Sequence, residues 1–463
     1  MNVIVKPRRL SGTVRIPASK SHTIRRLLIA SLGEGLSEIG HPLDSLDARS
    51  CAAACRALGA VITEHRAEDP SCPNPPDREG KKLVRWTVRG GAFRQRRGGG
   101  TISIDVGHSG TTLLLALAAA ALGSVPVAFD GDSQIRRRSA GPLLEALSAL
   151  GAKAEAAPGG LVPALVQGPW KGGRVSVPCP TSQYLSALLL AAPLAPAGTL
   201  TEIEVPLLNE KPYVEMSLAY LDAQGLPYER GEDLSWFRIP GGGSYRPLNG
   251  PVPGDFSSAA FPAAAAAIGG GPLTLLGLDP GDTQGDKAFF EVLAKMGCEV
   301  SRDALVPALT VSRQGALRGG EFDLNGSPDM LPACAAVAAF ARGDTFLVNA
   351  AHARIKETDR IAVMAAELGR LGVKVSERPD GLVIRGRGGI ETPGPGAGPA
   401  RGGALEGHGD HRIVMALAAA ALGAPGPVEI SGAESADVTY PGFLELIGAV
   451  PKQEAPRAMY PYE

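Results

Sequence analysis

The chain has 463 residues, enough for two to four domains of roughly 100–200 residues, each with its own core. Hydrophobic residues make up 44% and charged residues 20%, which excludes a disordered tail protein. The 46 Lys+Arg against 47 Asp+Glu leave a net charge of −1, so there is no bulk attraction to nucleic acid or an anionic membrane, and any anion binding must be local.

From the N-terminus, Lys6, Arg8 and Arg9 are not followed by an apolar run, so no signal peptide is expected. The six cysteines (Cys51, Cys55, Cys72, Cys179, Cys298, Cys334) have neither zinc spacing nor disulfide density, which fits a reducing, cytoplasmic setting. One pattern then occurs six times, starting near Ser19, Ser109, Ser182, Ser258, Asp329 and Asp410. A polar or charged cluster opens an Ala/Leu-rich helix that is apolar beyond its first turn and therefore buried. A strand-like run follows each (LSEIG, VPVAFDG, TLTEIEV, PLTLLGL, TFLVNA, PVEISG), then a polar loop and a more amphipathic helix. In RIAVMAAELGRLG, for example, Ile361, Met364, Ala365, Leu368 and Leu371 fall on one face and Glu367 and Arg370 on another, predicting a helix packed on one side only. Six such units suit an α/β protein of two domains with three units each, broken at the Pro/Gly-rich stretch 247–254, which reads as a linker. The stretches 67–82 and 388–403 and the basic run 94–97 read as surface loops.

The chemistry gathers at the helix starts. Free backbone N–H groups and the positive end of the dipole make each start an anion site when several converge, although Ser, Thr and Asp there are also ordinary caps. Basic residues at such a start oppose the dipole. Lys20 and Arg25 in the first unit, and His411 and Arg412 in the sixth, break this local rule, and rule-breaking at an element end is where function is expected. Arg354, Lys356, Glu357, Asp359 and Arg360 form the densest charged cluster, readable either as a self-paired first turn or as part of a site. Of Arg136, Arg137 and Arg138, adjacent and so differently directed, at most one or two can face a common site. A small, multiply anionic ligand held between two domains uses all of these groups. The spacing of His408, Asp410 and His411 also permits a zinc reading, and neither a P-loop nor a strand-linked dinucleotide fingerprint is present.

Eight motifs in order, IPASKSHTIR, SGT, IRRR, TSQ, KPY, PDMLP, IKETDR and GDHR, make the chain similar over almost its whole length to the 5-enolpyruvylshikimate-3-phosphate synthase family of enolpyruvyl transferases. The resemblance implies a two-domain enolpyruvyl transferase fold, each domain built of three βαβαββ units, with residues 1–18 plus 252–463 in one domain and 19–251 in the other. It implies transfer of the enolpyruvyl group of phosphoenolpyruvate to the 5-hydroxyl of shikimate 3-phosphate, without cofactor or metal, by a cytoplasmic monomer with no nucleic-acid or membrane partner. It further implies that Lys20, Ser21, Arg25, Thr181, Ser182, Gln183, Tyr213 and Lys356 contact shikimate 3-phosphate, with Thr181 and Ser182 cradling its phosphate. Gly110, Arg138, Arg360 and Arg412, beside His411, are implied for phosphoenolpyruvate. Glu357 would protonate C3, and Asp329 with Lys20 would handle the hydroxyl proton.

Several positions depart from the family pattern: Val438 and Leu114 stand where it carries cations, Glu210 replaces a serine near the substrate phosphate, His108 and His352 replace asparagines, and Gln134 replaces an arginine. At Glu210 a carboxylate would repel the ligand unless protonated or turned away. Two further readings therefore stay open, a transferase for another anionic alcohol and a paralogue that binds without turnover, while the lack of a cysteine near Arg136 disfavours the related UDP-N-acetylglucosamine transferase.

Overall fold

Each Ala/Leu run forms a helix, because Ala and Leu lose little entropy there and a polar residue closes the first turn. The six helices are Lys20–Leu32, Gly110–Ala120, Gln183–Ala191, Phe256–Gly269, Leu331–Ala338 and His411–Leu422. Ser19, Ser109 and Asp410 cap theirs, accepting from the N–H groups of His22, Thr112 and Arg412. The fourth helix opens at Phe256, near Ser258 as expected, and one start differs. The fifth opens only at Leu331, after a 3-10 turn over Pro328–Met330, which places Asp329 in the turn before the helix. Pro332, lacking an N–H, is accommodated in the first helical turn.

The computed structural model describes residues 1–91, 93, 98–387 and 404–452; the runs 94–97 and 388–403, expected as loops, lie outside the described residues. Six four-stranded sheets share one plan. In the second unit Ile102–Asp105 runs parallel to Val127–Asp130, which pairs antiparallel with Leu161–Gln167, itself antiparallel to Lys153–Ala157. The buried helix joins the parallel pair and the amphipathic helix follows, giving βαβαββ.

Three units borrow a strand from elsewhere in the chain. Asn249–Pro251 runs parallel to Leu36–Gly40, Gly12–Arg15 runs parallel to Leu273–Leu276, and Asn2–Val5 lies antiparallel between Val428–Ser431 and Val450–Pro451. The expected linker at 247–254 is thus in part a strand. Its Gly and Pro are tolerated because it sits at a sheet edge, paired on one side.

Two hydrophobic cores result, one drawing on residues from Ala18 to Val252 and the other on Val3 to Ile16 with Phe256 to Ile447. In the second, Ala263 to Ala267 and Ala418 to Ala421 are fully buried, and their small side chains let the helices of Phe256–Gly269, Leu331–Ala338 and His411–Leu422 pack closely. All six cysteines are buried free thiols, and among the described residues no helix is long and apolar enough to cross a membrane.

The Arg360–Arg370 helix corrects the one-sided reading. Ile361, Met364 and Leu368 are buried as expected, but so is Glu367. Its carboxylate accepts from the Glu406 backbone N–H at 3.1 Å and lies 2.9 Å from His408 Nε2 and 3.1 Å from Arg370. A polar position on a helical wheel became interior because the sixth unit's first strand and its following turn cover it with partners.

Glycines mark the joints between sheets and buried helices. A Cβ at Gly90, Gly168 or Gly386 would come within 2.3, 2.3 and 2.2 Å of the carbonyl oxygens of Ala30, Ala121 and Ala341, which lie at or just past the ends of three buried helices. The last strand can cross that helix end only where no side chain intervenes. Gly168→Ala should therefore cost roughly 1–3 kcal/mol of overpacking, whereas Gly369→Ala, in an exposed helical turn with nothing within 4 Å, should gain about 0.5–1 kcal/mol. Denaturant melts of the two variants beside wild type should move in opposite directions.

Candidate active site

The starts of the buried helices from both cores face one cleft. Lys20, Ser21, Arg25, Gly110, Ser182 and Gln183 enter from the first core with Arg138 and Tyr213, and Asp329, Lys356, Glu357 and Arg412 enter from the second. Thr181 lines an adjoining cleft shared with Arg138, Gln183 and Glu357. Arg360 and His411 do not line the first cleft but lie buried behind its wall.

Cations at helix starts are balanced by carboxylates from other elements. Lys20 Nζ is 3.1 Å from Asp47, and Arg412 Nη2 is 3.0 Å from Asp329. Asp47, in the first turn of the Leu46–Ala57 helix, was not singled out by sequence, where nothing in HPLDSLDAR distinguishes it from an ordinary helix-start acid. Its other oxygen lies 3.3 Å from His108 Nε2 with no hydrogen bond between them, which places Asp47 between Lys20 and His108.

Arg360 is fully buried and forks to three carboxylates, Asp410 at 2.8 Å, Asp329 at 2.7 Å and Glu357 at 2.5 Å. Glu357 reaches across the cleft to Arg138 Nη2 at 3.2 Å. Burial alone would raise the Glu357 pKa, but Arg360, Arg138 and Lys20 outweigh it and hold the carboxyl well below its ordinary range. Asp329 follows the same pattern: burial works against Arg412, Lys356 and Arg360, and the cations win. His411 is driven well below its usual range by burial and then by Arg412, so its ring is neutral, 3.2 Å from Arg412 Nη1.

Arg25 contrasts with these pairs. It is 2% exposed, and its guanidinium donates to Ser217 Oγ at 3.0 Å, Ser186 Oγ at 3.3 Å and the carbonyl oxygens of Tyr213 and Ser21 at 3.1 and 3.3 Å. Among the described residues no carboxylate pairs with it, and burial pushes its pKa down to about 10. A buried cation with neutral partners only is ready for an anion. Tyr213 donates its hydroxyl to Asp286 at 3.0 Å, and burial followed by the Asp329 charge raises the Asp286 carboxyl to about 6.

Of the three adjacent arginines only Arg138 enters the first cleft. Arg136 pairs with Asp130 at 2.5 Å and Arg137 turns back to the Ser133 carbonyl at 3.0 Å. The KETDR turn is partly self-paired, as Arg354–Asp359 and Arg360–Glu357 show, while Lys356 and Glu357 each also pair across the cleft.

The departures are accounted for individually. Glu210 is neither turned away nor protonated: it is 2% exposed, is paired with Lys356 Nζ, and accepts from Ser182 N–H at 3.0 Å, Ser182 Oγ at 2.8 Å and Thr181 Oγ1 at 3.3 Å. Burial opposes its ionisation and Lys356 more than compensates, so its pKa is lowered. His352 Nε2 lies 3.2 Å from the Asn325 carbonyl, Gln134 donates to the Gly409 carbonyl at 3.3 Å, and Leu114 is buried. Val438, at the end of the 3-10 turn Ala433–Val438, brings no charge. Lys452, paired with Glu429 at 2.7 Å, and Arg354, paired with Asp359 and Glu377, do not line the first cleft. The zinc reading is not supported by the donors: His408 bonds Glu367, Asp410 holds Arg360, and among the described residues no three His, Cys, Asp or Glu side chains form a group that could hold a metal ion.

Comparisons with known proteins bear on the family and the fold. A family model described as EPSP synthase (3-phosphoshikimate 1-carboxyvinyltransferase) matches residues 4–447. The 3-phosphoshikimate 1-carboxyvinyltransferase of Acetivibrio thermocellus is 46% identical over 445 residues, covering 96% of both chains. That of Halobacterium salinarum is 38% identical over 457 residues, covering 97% of this chain and 99% of its own. A solved EPSP synthase from Acinetobacter baumannii superposes with a TM-score of 0.76 at 25% identity over 96% of this chain and 97% of that one. The enolpyruvyl transferase NikO from Streptomyces tendae, at 19% identity and a TM-score of 0.71 over 97% of this chain and 98% of its own, shares the fold. With a family match over nearly the whole chain and relatives of this similarity at full length, the chain belongs to the EPSP synthase family.

Proposed function

We propose that the cleft transfers the enolpyruvyl group of phosphoenolpyruvate to the 5-hydroxyl of shikimate 3-phosphate and releases phosphate. The observation that carries this reading is Glu357, an acid held between Arg138 from one core and Arg360 from the other, with Asp329 on the same Arg360 and with Lys20, Arg25, Lys356 and Arg412 lining the same cleft.

The hydroxyl oxygen attacks C2 of phosphoenolpyruvate while C3 takes a proton. The C2–O bond to phosphate then breaks as a proton leaves the new methyl group, restoring the double bond. Glu357 is the proton donor to C3, and Lys20 with Asp329 takes the hydroxyl proton. In the ligand-free cleft Glu357 is ionised and cannot donate. Phosphoenolpyruvate brings two anionic groups that draw on Arg138 and Arg412, and losing that cationic support raises the Glu357 pKa, so the substrate itself loads the acid. Arg360, tied to three carboxylates, holds Asp329 and Glu357 in register from behind. His411, neutral, serves the same wall. Arg25 takes the carboxylate of the acceptor, with Ser21 beside it; Gly110 lets phosphoenolpyruvate approach the backbone, Thr181 and Ser182 are placed for the acceptor's phosphate and Gln183 for its ring, and Tyr213 and Lys356 make further contacts to it.

The two cores act as jaws, residues 19–251 against 1–18 plus 252–463, in a monomeric protein. The pairs Arg138–Glu357, Lys356–Glu210 and His22–Asp282, the last at 3.0 Å, are the ties that closure makes.

Two predictions follow from these roles. Calorimetric titration of phosphoenolpyruvate at pH 7, repeated in buffers of different ionisation enthalpy, should show proton uptake by wild type. Glu357→Gln should take up none and lose about 10²-fold or more in kcat; equal uptake by both proteins would move the acid elsewhere. Val438→Lys, adding a cation at an uncharged position, should lower the KM for phosphoenolpyruvate in steady-state assays by about 1–3 kcal/mol in equivalent free energy.

A further inference from the structure

The acceptor side of the cleft contains a complete anion cradle that already holds an anion. Ser182 N–H at the start of the buried Gln183–Ala191 helix, the Ser182 and Thr181 hydroxyls, and the Lys356 ammonium from the opposite core all converge on the Glu210 carboxylate. These are the groups expected to cradle the acceptor's phosphate. Glu210 is held there by its backbone: its φ of 58° is left-handed, an uncommon conformation for a residue other than glycine, and its N–H donates to the Asn325 carbonyl at 3.3 Å.

The two carboxylate oxygens are used unequally. Oε2 accepts all three bonds from Thr181 and Ser182, whereas Oε1 accepts only from Lys356. Oε1 keeps accepting capacity, and Glu210 lines the cleft. A ligand hydroxyl at this corner can donate to Oε1. A ligand phosphate there brings about −1.5 to −2 charges against a buried carboxylate, with one ammonium shared between them. Across the site, Arg25 offers a guanidinium with neutral partners only, which fixes a ligand carboxylate whether or not the ligand is phosphorylated.

We propose that Glu210 is a specificity-determining residue that stands in for the acceptor's phosphate, so that the site also takes as acceptor a polyhydroxy carboxylic acid without one, such as shikimate itself. The proposal rests on the enolpyruvyl-transfer reading for its chemistry, and that chemistry is the same for either acceptor. The acceptor oxygen bonds to C2, its proton passes to the Lys20 and Asp329 pair, and the C2–O bond to phosphate breaks. The proton gained at C3 is balanced by the one lost from the methyl group, leaving an enol ether and inorganic phosphate.

The test measures dissociation constants of shikimate and of shikimate 3-phosphate by calorimetry for wild type, Glu210→Ser and Glu210→Gln, together with phosphate release from phosphoenolpyruvate with each acceptor. The Gln variant preserves the side chain's shape and serves if the Ser variant does not fold. The expected result is that the preference for shikimate 3-phosphate over shikimate, taken as the ratio of dissociation constants, rises at least tenfold when the charge is removed. A rise of less than tenfold in the folded variants overturns the proposal. If wild type releases phosphate with neither acceptor, the enolpyruvyl-transfer reading fails, while the binding ratios still decide the role of Glu210.

Discussion

The guanidinium of Arg360 is the knot on which this molecule depends. It is fully buried, and it gathers carboxylates from three separate places: Asp329 before the fifth buried helix, Glu357 in the turn ahead of its own helix, and Asp410 at the cap of the sixth. Three anions around one cation would be intolerable without further positive charge, and Arg412 and Arg138 supply it. A buried network of this kind contributes little net stability over an apolar core, but removing one member leaves uncompensated charge. Its worth lies in holding two potential proton carriers at fixed positions beside a cleft.

That knot also explains why the cleft is cationic while the chain is neutral. The positive groups are concentrated by helix starts, which contribute their own dipoles, and are held at close quarters by just enough carboxylate to keep them folded. In the proposed mechanism that balance tips when a ligand arrives, because an incoming anion competes for the same arginines and returns a proton to the acid they had kept ionised. Glu210 is the exception on the other side of the site, where the chain has filled one anion position from within.

Much of this was legible in the sequence, and the reasons are local. Lys20, Arg25 and Arg412 were conspicuous because a cation at a helix start opposes the dipole, and the six Ala/Leu runs were conspicuous because helices apolar all round have no surface to present. Glu210 was noticed as a misplaced charge, but only the structure showed that Lys356 neutralises it. What stayed hidden depends on partners far away in the chain. Glu367 read as a solvent-facing charge because its partners, Glu406 and His408, lie some forty residues on. Arg360 read as a ligand-binding fork because three carboxylates from three elements could not be seen to converge. The strand Asn249–Pro251 read as a linker because an edge strand tolerates Gly and Pro as a loop does.

The borrowed strands set an order of assembly on a chain made from its N-terminus. The three sheets built around the first core are complete once Asn249–Pro251 has emerged, since every strand they need lies at or before that segment. The other half cannot close so early. Gly12–Arg15 waits for Leu273–Leu276, and Asn2–Val5 has no partners until Val428–Ser431 and Val450–Pro451 appear. Asn2–Val5 thus seals that sheet by closing the longest loop among the described residues, at an entropic cost that grows only with the logarithm of its length. Every strand around the first core has been made while the ribosome is still translating those of the second.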